Sequence, residues 1–517
     1  MEAIFHNVPL GGLIPWANTD AARPHKQTQT DAVAAAAFHT TETSSESQVN
    51  DVREHLSAMS KHYPASSSAE SYMPERQDIH RIMDIPDSAY KQLLLEAVDH
   101  DNKFTVDDCI NLRHTGGSYN HVAILELNKI WYAIKVPLQG TPELWKEADA
   151  LELRSEVFMM KYLRKHTSIP IMEVFKFETT LDNSIGAPYM IQAGAKGIPA
   201  QQCFLALDDD YEIDRVANEH PSAALEKRRR TFLRDLASKM AELRKFEFNK
   251  SGMFYFEDDS DMEDAKPPTV GPYFELLFST EARPAYSSTR EFLGEKIQQW
   301  TADQEKHIED KYPEDSPTKL QKIMQLKGAV AFLDCALLEF PGLPHPEEED
   351  EETFVLNHPD LDFQNILVHP KSGLILSIID WQGIRAVPRP IGYSSLPLFL
   401  RKDWEPNYDL DIQLPPWILD KYRDMYTDFM KEALGPDNDD AAYTRHSYWH
   451  WYAYEQIAAG DSSISDFIDR IMTEIPFLSR LDRDDFLARL GSGDWDSAQE
   501  MLLLEFQKLC NPHKYNN

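Results

Sequence analysis

The run His358-Pro359-Asp360-Leu361-Asp362-Phe363-Gln364-Asn365 concentrates polar chemistry between two apolar segments, Phe354-Val355-Leu356 before it and Ile366-Leu367-Val368 after it. A turn at Lys371-Ser372-Gly373 and a second apolar strand, Leu374 to Ile379, lead to Asp380-Trp381. Such a hairpin brings Asn365 and Asp380 to adjacent strand ends. An amide oxygen and a carboxylate so placed suit Mg²⁺, a hard cation that takes oxygen ligands and completes its shell with phosphate oxygens and water. Asp360, one loop away, is placed to orient a hydroxyl and accept its proton. The chemistry this set would serve is phosphoryl transfer.

Those residues need a scaffold. From 104 to 136 the pattern is β: a turn at Gly116-Gly117-Ser118, the apolar run Val122 to Leu127, a polar break at Asn128-Lys129, and then Ile130, Tyr132, Ile134 and Val136 alternating on one face. Leu153, Val157 and Met160 follow at helical spacing, and this helix should stop before Pro170. Val174 to Glu178 and Tyr189 to Gln192 read as two further strands, so residues 80–192 form a small strand-rich unit with one helix. Beyond it, helices are expected over Leu225 to Phe246, over Leu320 to Leu338, and from 415 onward, where Ile418, Tyr422, Met425 and Phe429 keep helical spacing up to Gly435-Pro436. The acidic runs Glu257 to Asp261 and Glu347 to Glu352 read as solvated loops. The aromatic cluster Tyr448, Trp449, Trp451, Tyr452 and Tyr454 reads as core.

The pattern H-x-D-x-x-x-x-N followed by Ile-Asp-Trp resembles the catalytic and metal-binding loops of the aminoglycoside phosphotransferase and choline kinase superfamily, relatives of the protein kinases. Asp-Trp in place of Asp-Phe-Gly points to the small-molecule branch. The wording around His358 to Val368 and Ile378 to Gly383 is most similar to fungal phosphotransferase-family proteins, including the altered-inheritance-of-mitochondria group. The resemblance implies an α+β, two-lobed protein-kinase-like fold, with a strand-rich N-lobe over 79–195 and a helical C-lobe over 196–517; the residues before it, 1–78, are rich in Ala, Ser, Thr and His with little periodicity and read as a disordered tail. The C-lobe would hold the catalytic loop, 356–383, and an acceptor region, 205–350, with Ser251 to Tyr255 and Gly271 to Phe274 as candidate walls.

The resemblance also implies roles. Gly116, Gly117 and Ser118 would form the phosphate-covering turn, although a full G-x-G-x-x-G is lacking; exposed N–H groups at such a turn hold phosphate oxygens. Tyr132-Ala133-Ile134-Lys135 resembles the kinase V-A-I-K strand, with Lys135 reaching the phosphates of ATP. Glu156 is placed to pair with Lys135, and spacing alone leaves Glu152 as an alternative. Asp360 would be the base, and Asn365 and Asp380 the Mg²⁺ ligands. His358 reads as scaffold for the loop. Asp362 is open between a solvated loop residue and a further metal contact. The adenine would bond backbone near Gln192.

The whole composition sets bounds. The chain has 517 residues, enough for two lobes around a sizeable core, and 86 acidic against 52 basic residues leave a net charge of −34. Such a surface repels nucleic acid and anionic membranes, so no nucleic-acid partner is expected; the implied partner is a small molecule bearing a hydroxyl. No apolar run is long enough to span a membrane. The 4 cysteines lie far apart, which favours a reducing compartment, the cytoplasm, with the mitochondrial matrix as the alternative. Two rival readings share the motif. One is a catalytically silent kinase-like scaffold, opposed by the presence of every polar residue the chemistry needs. The other is a protein kinase, opposed by the lack of Asp-Phe-Gly and Ala-Pro-Glu segments.

Overall fold

The computed structural model describes residues 76–207, 212–256, 267–275, 279–340, 343, 351–405, 408–410, 413–493 and 497–510. The expected tail therefore lies outside the described residues except for Arg76, Gln77 and Asp78. The acidic run Glu257 to Asp261 lies outside them too, as does Glu347 to Asp350 of the second run.

The chain begins with two helices, α1 (Ile79–Met83) and α2 (Asp87–Val98). Three strands follow, β1 (Cys109–Gly116), β2 (Asn120–Leu127) and β3 (Ile130–Pro137), and then the long helix α3 (Glu147–His166). Strands β4 (Val174–Glu178) and β5 (Tyr189–Ala193) complete a five-stranded sheet in the order β1-β2-β3-β5-β4, antiparallel throughout. The break at Asn128-Lys129 is a tight hairpin turn: both residues have positive φ, 51° and 63°, the backbone twist that two-residue hairpins favour. Helix α2 was not anticipated, although Tyr90, Leu93, Leu94 and Ala97 carry its buried stripe. That stripe covers the Tyr132, Ile134 and Val136 face of β3 in one core. The opposite face, with Ala133 and Lys135, looks toward α3 and the rest of the molecule.

The helical region begins with a short strand, β6 (Ile198–Pro199), and helices α4 (Ala200–Phe204), α5 (Arg215–Glu219) and α6 (Ala223–Ala241). Ser222 caps α6 by accepting from the Leu225 N–H. Between 247 and 283 the chain makes short strands: β7 (Glu247–Phe248), β8 (Gly252–Tyr255), β9 (Thr269–Gly271), β10 (Tyr273–Glu275) and β11 (Ser279–Arg283). Helices α7 (Thr289–Lys311) and α8 (Pro317–Leu338) follow. Within the candidate acceptor walls Ser251 to Tyr255 and Gly271 to Phe274, Met253 lies opposite both Gly271 and Arg385, and Tyr273 lies opposite Arg283. Glu352, read as part of a solvated run, instead accepts from the Thr289 N–H at 2.7 Å at the start of α7.

Strand β12 (Phe354–Leu356) leads to the polar loop, and β13 (Ile366–Val368) and β14 (Ile375–Ile378) form the expected hairpin, with β6 on its free edge. Strand β15 (Arg385–Pro388) pairs with β12. The remainder is helical: α9 (Pro416–Leu434), α10 (Ala441–Thr444), α11 (Ser447–Ala459), α12 (Asp461–Glu474), α13 (Arg483–Ser492) and α14 (Ala498–Cys510). Pro416 opens α9 and Gly435, φ 81°, ends it. Trp449 and its aromatic neighbours are buried core, as their spacing suggested. The molecule is a mixed α/β structure with an antiparallel sheet lobe and a helical C-terminal region.

Candidate active site

The hairpin sets the first part of the site. Ile366 pairs with Ile378, and the Ile379 N–H donates to the Asn365 carbonyl at 2.9 Å. Asn365 and Asp380 therefore stand at neighbouring strand ends. Asp380 is one of few residues other than glycine with positive φ, 62°. A left-handed backbone at a residue with a Cβ costs energy, which the surrounding structure must offset.

Asn365 is fully buried and its amide has two faces. Its Nδ2 donates to the Asp360 carboxylate and to the Asp360 carbonyl, each at 2.9 Å. Its Oδ1 is buried with no hydrogen-bond partner among the described residues, a cost that a cation would relieve. The amide thus ties Asp360 to the place where a metal would sit. Among the described residues no group of three or more His, Cys, Asp or Glu side chains gathers as a metal site. A set of one amide and one carboxylate, completed by phosphate oxygens and water, is what Mg²⁺ accepts, so the residues present fit that ion.

The sheet lobe contributes Lys135 from β3. Its Nζ donates to Glu156 Oε1 at 2.9 Å and to Asp380 Oδ1 at 2.8 Å. This contact singles out Glu156; Glu152 lies one turn earlier on α3, where burial pushes its carboxyl up to about 7 and nearby Arg385 opposes the shift. Burial opposes the charged form of Lys135, but the two carboxylates outweigh it and hold the ammonium above its ordinary range. Burial likewise raises Glu156, with Lys135 offsetting part of the shift. At Asp380 burial acts upward too, yet Lys135 prevails and the carboxyl falls below its ordinary value.

Asp360 sits in a different field. Burial, and then repulsion from Asp362 and Asp380, push its carboxyl up to about 6, against the pull of Lys402 and the Asn365 hydrogen bond. A base with affinity in that range can take a proton near neutral pH. His358 has the scaffolding place expected of it. Its Nε2–H donates to the Ile379 carbonyl at 3.0 Å, Nδ1 accepts from the Asp360 N–H at 3.2 Å, and its ring stands edge-on to Trp381. Both nitrogens are engaged by the neutral form, and burial lowers its pKa to about 4. Asp362 is not a loop residue in water. It is 2% exposed, caps the turn at Phe363, and pairs with Lys402 at 3.1 Å. Gln364 and Lys402 were not singled out from sequence: Gln364 reaches Asp360 only weakly, at 3.4 Å, and Lys402 meets the loop only through the fold.

The Gly116-Gly117-Ser118 turn joins β1 to β2. The Gly117 N–H donates to the Asn120 carbonyl at 2.9 Å, and the Ser118 carbonyl accepts from Gln77 Nε2 at 2.6 Å. A side chain at Gly117 would enter open space rather than protein. The turn is thus shaped by its own hydrogen bonds and by Gln77. Gln192 lies on β5 opposite Ala133.

The chain matches no family profile. It is 24% identical over 375 residues to a subtelomeric hrmA-associated cluster protein of Aspergillus fumigatus, an alignment covering 59% of this chain and 63% of that protein. It is 22% identical over 337 residues to altered inheritance of mitochondria protein 9, mitochondrial, of Candida glabrata, covering 55% of this chain and 49% of that protein. The chain spans less than two thirds of the length of these curated relatives. Among solved structures, an ethanolamine kinase of Plasmodium vivax aligns at 13% identity and a TM-score of 0.37, over 85% of this chain and 96% of that one. An aminoglycoside phosphotransferase in ternary complex with AMP-PNP and hygromycin B aligns at 14% identity and a TM-score of 0.35, over 78% of this chain and 99% of that one. The structural neighbours are small-molecule kinases, and a distant relative is a mitochondrial-inheritance protein, as the motifs led us to expect. No helix among the described residues is long and apolar enough to cross a membrane.

Proposed function

We propose that this chain transfers the terminal phosphoryl group of ATP to a hydroxyl on a small molecule. The observation that carries the reading is the junction of three separate segments on one cluster. Lys135 holds both Glu156 and Asp380, and the adjoining Asn365 amide holds Asp360. A lysine with two carboxylate partners is fixed in place for phosphate oxygens, and the glycine turn offers N–H groups above them. Asn365 and Asp380 would hold Mg²⁺, which supplies neutralisation of the charge on the phosphates when bound. Asp360, fixed by Asn365, orients the acceptor hydroxyl and takes its proton as the new O–P bond forms. The proton comes to rest on the Asp360 carboxylate, and ADP leaves with the bonding electron pair of the broken P–O bond. The acceptor region belongs to 205–350 and the C-terminal helices. We place the protein in a reducing compartment, the cytoplasm or the mitochondrial matrix; three buried cysteines without disulfide partners accord with that.

Calorimetry with Mg·ATP comes first, since a protein that binds none ends the proposal. A metabolite-library screen for ATP-dependent phosphorylation then uses Asp360→Asn as the blank. Asp360→Ala is expected to lose turnover by a factor on the order of 10²–10⁴ while nucleotide binding persists; Asp380→Ala is expected to lose Mg·ATP binding as well. Nucleotide bound without turnover on any acceptor, unaltered by Asp360→Asn, would mark a scaffold instead.

A further inference from the structure

One side-chain contact crosses the cleft outside the cluster above. Asn120 opens β2, two residues past the glycine turn, and it is buried. Its Nδ2 donates to Gln382 Oε1 at 2.7 Å, 262 residues away in sequence. Gln382 lies two positions beyond Asp380, in the turn closed by the Ile384 N–H donating to the Trp381 carbonyl at 3.1 Å. The bond therefore links the turn above the phosphate position to the segment that carries the metal-side carboxylate. The outer side of the glycine turn is tied as well. The Tyr119 carbonyl accepts from the Leu138 N–H at 2.9 Å and the Asp78 N–H donates to the Leu138 carbonyl at 3.0 Å. Gln77, next to Asp78, holds the Ser118 carbonyl. Three successive carbonyls, of Ser118, Tyr119 and Asn120, are thus engaged by protein donors, the last by the Gly117 N–H of the turn itself, so these carbonyls are held away from an anion. Besides the Lys135 bond to Asp380, the amide pair is the link from the turn end of β2 to the Asp380 segment.

We propose that Asn120 and Gln382 are positioning residues for the nucleotide: their hydrogen bond sets the gap between the phosphate-covering turn and the Asp380 segment. The inference rests on the phosphotransferase reading. A buried amide pair bridging two elements fixes a separation, and losing one partner leaves the other unsatisfied.

The test is calorimetric titration of the full chain with Mg·ATP and with adenosine. Asn120→Ala and Gln382→Ala are each expected to weaken Mg·ATP about five- to tenfold, with adenosine changed less than twofold. The double variant should be no weaker than the worse single one, because one bond is lost in all three. Asn120→Gln with Gln382→Asn keeps the summed reach and should return Mg·ATP affinity to near the wild-type value. Equal losses for adenosine and Mg·ATP, additive losses in the double variant, or unchanged Mg·ATP binding would overturn the inference. If Asn120→Ala does not fold, Gln382→Ala alone decides, since Gln382 is only half-buried. A wild-type protein that binds no Mg·ATP overturns the phosphotransferase reading; a wild type that binds, with variants that bind equally, overturns only this inference.

Discussion

Lys135 is bonded to two carboxylates, and the two bonds are not equivalent. Glu156 is 3% exposed and Lys135 is the cation that offsets its burial, whereas the Asp380 side chain is 37% exposed. Removing the lysine strands Glu156 in the interior. Removing Glu156 leaves the lysine still satisfied by Asp380. Urea unfolding should therefore show Lys135→Ala costing about 3 kcal/mol and Glu156→Ala nearer to about 1 kcal/mol; equal costs would contradict the asymmetry. At this scale much of the site was legible. Asp360, Asn365 and Asp380 stand out because polar residues between apolar strands have few reasons to be there, and Lys135 because alternation sets its face. Asn120 and Gln382 were not legible, since nothing local in either segment signals a partner 262 positions away. Asp362 stayed open for the same reason: its fate is decided by Lys402, which only the fold brings near.

Helices α3, α6 and α9 were legible from their periodicity, whereas the 23-residue helix α7 was not named, its sparse stripe of Leu293, Ile297, Trp300 and Ile308 being set among many charged residues. Helix α2 was passed over although its stripe is present, because a helix over a strand lobe is not demanded by the strands themselves. Strands β7 to β11 are each too short to show a period. A stricter constraint lies at the crossing of α8 and α13. A Cβ on Gly328 would stand 1.9 Å from the Leu487 carbonyl oxygen, and one on Gly491 would stand 1.9 Å from that of Met324. Each glycine is where one helix touches the backbone of the other. Gly328→Ala must push the helices apart, with an expected loss of about 2 kcal/mol in chemical denaturation. At a half-buried control, Gly294→Ala, an added Cβ meets no atom within 4 Å; the site lies within α7, so the change should stabilise slightly.

For the whole molecule, acid is the condition to watch. His450 is buried on α11 with neither ring nitrogen bonded among the described residues, and burial, with His446 adding to it, depresses its pKa to about 3. In the unfolded chain that ring takes a proton near its ordinary value of 6.5. The unfolded state therefore binds more protons between those values, and stability falls as pH falls. His450→Leu removes that term. The stability difference between variant and wild type should grow in the variant's favour by about 1.4 kcal/mol per pH unit below roughly pH 6, measured by denaturation at pH 7, 6 and 5; a constant difference would rule this out. Carboxylates with raised pKa values titrate alike in both proteins and cancel.

The apolar interior has a further consequence. Helix α3, strand residues Val174 and Met190, and the hairpin β13–β14 belong to one continuous core, while the outer face of the sheet packs in another. The two lobes are therefore halves of one cooperative unit, joined beneath the cleft by shared apolar contacts. Under denaturant, amides of β5 and of β13–β14 should lose exchange protection together. A sheet lobe excised at the cleft would expose the α3 stripe to water and should not fold by itself. A cavity made in this shared core, as by Val157→Ala, should therefore weaken both lobes at once.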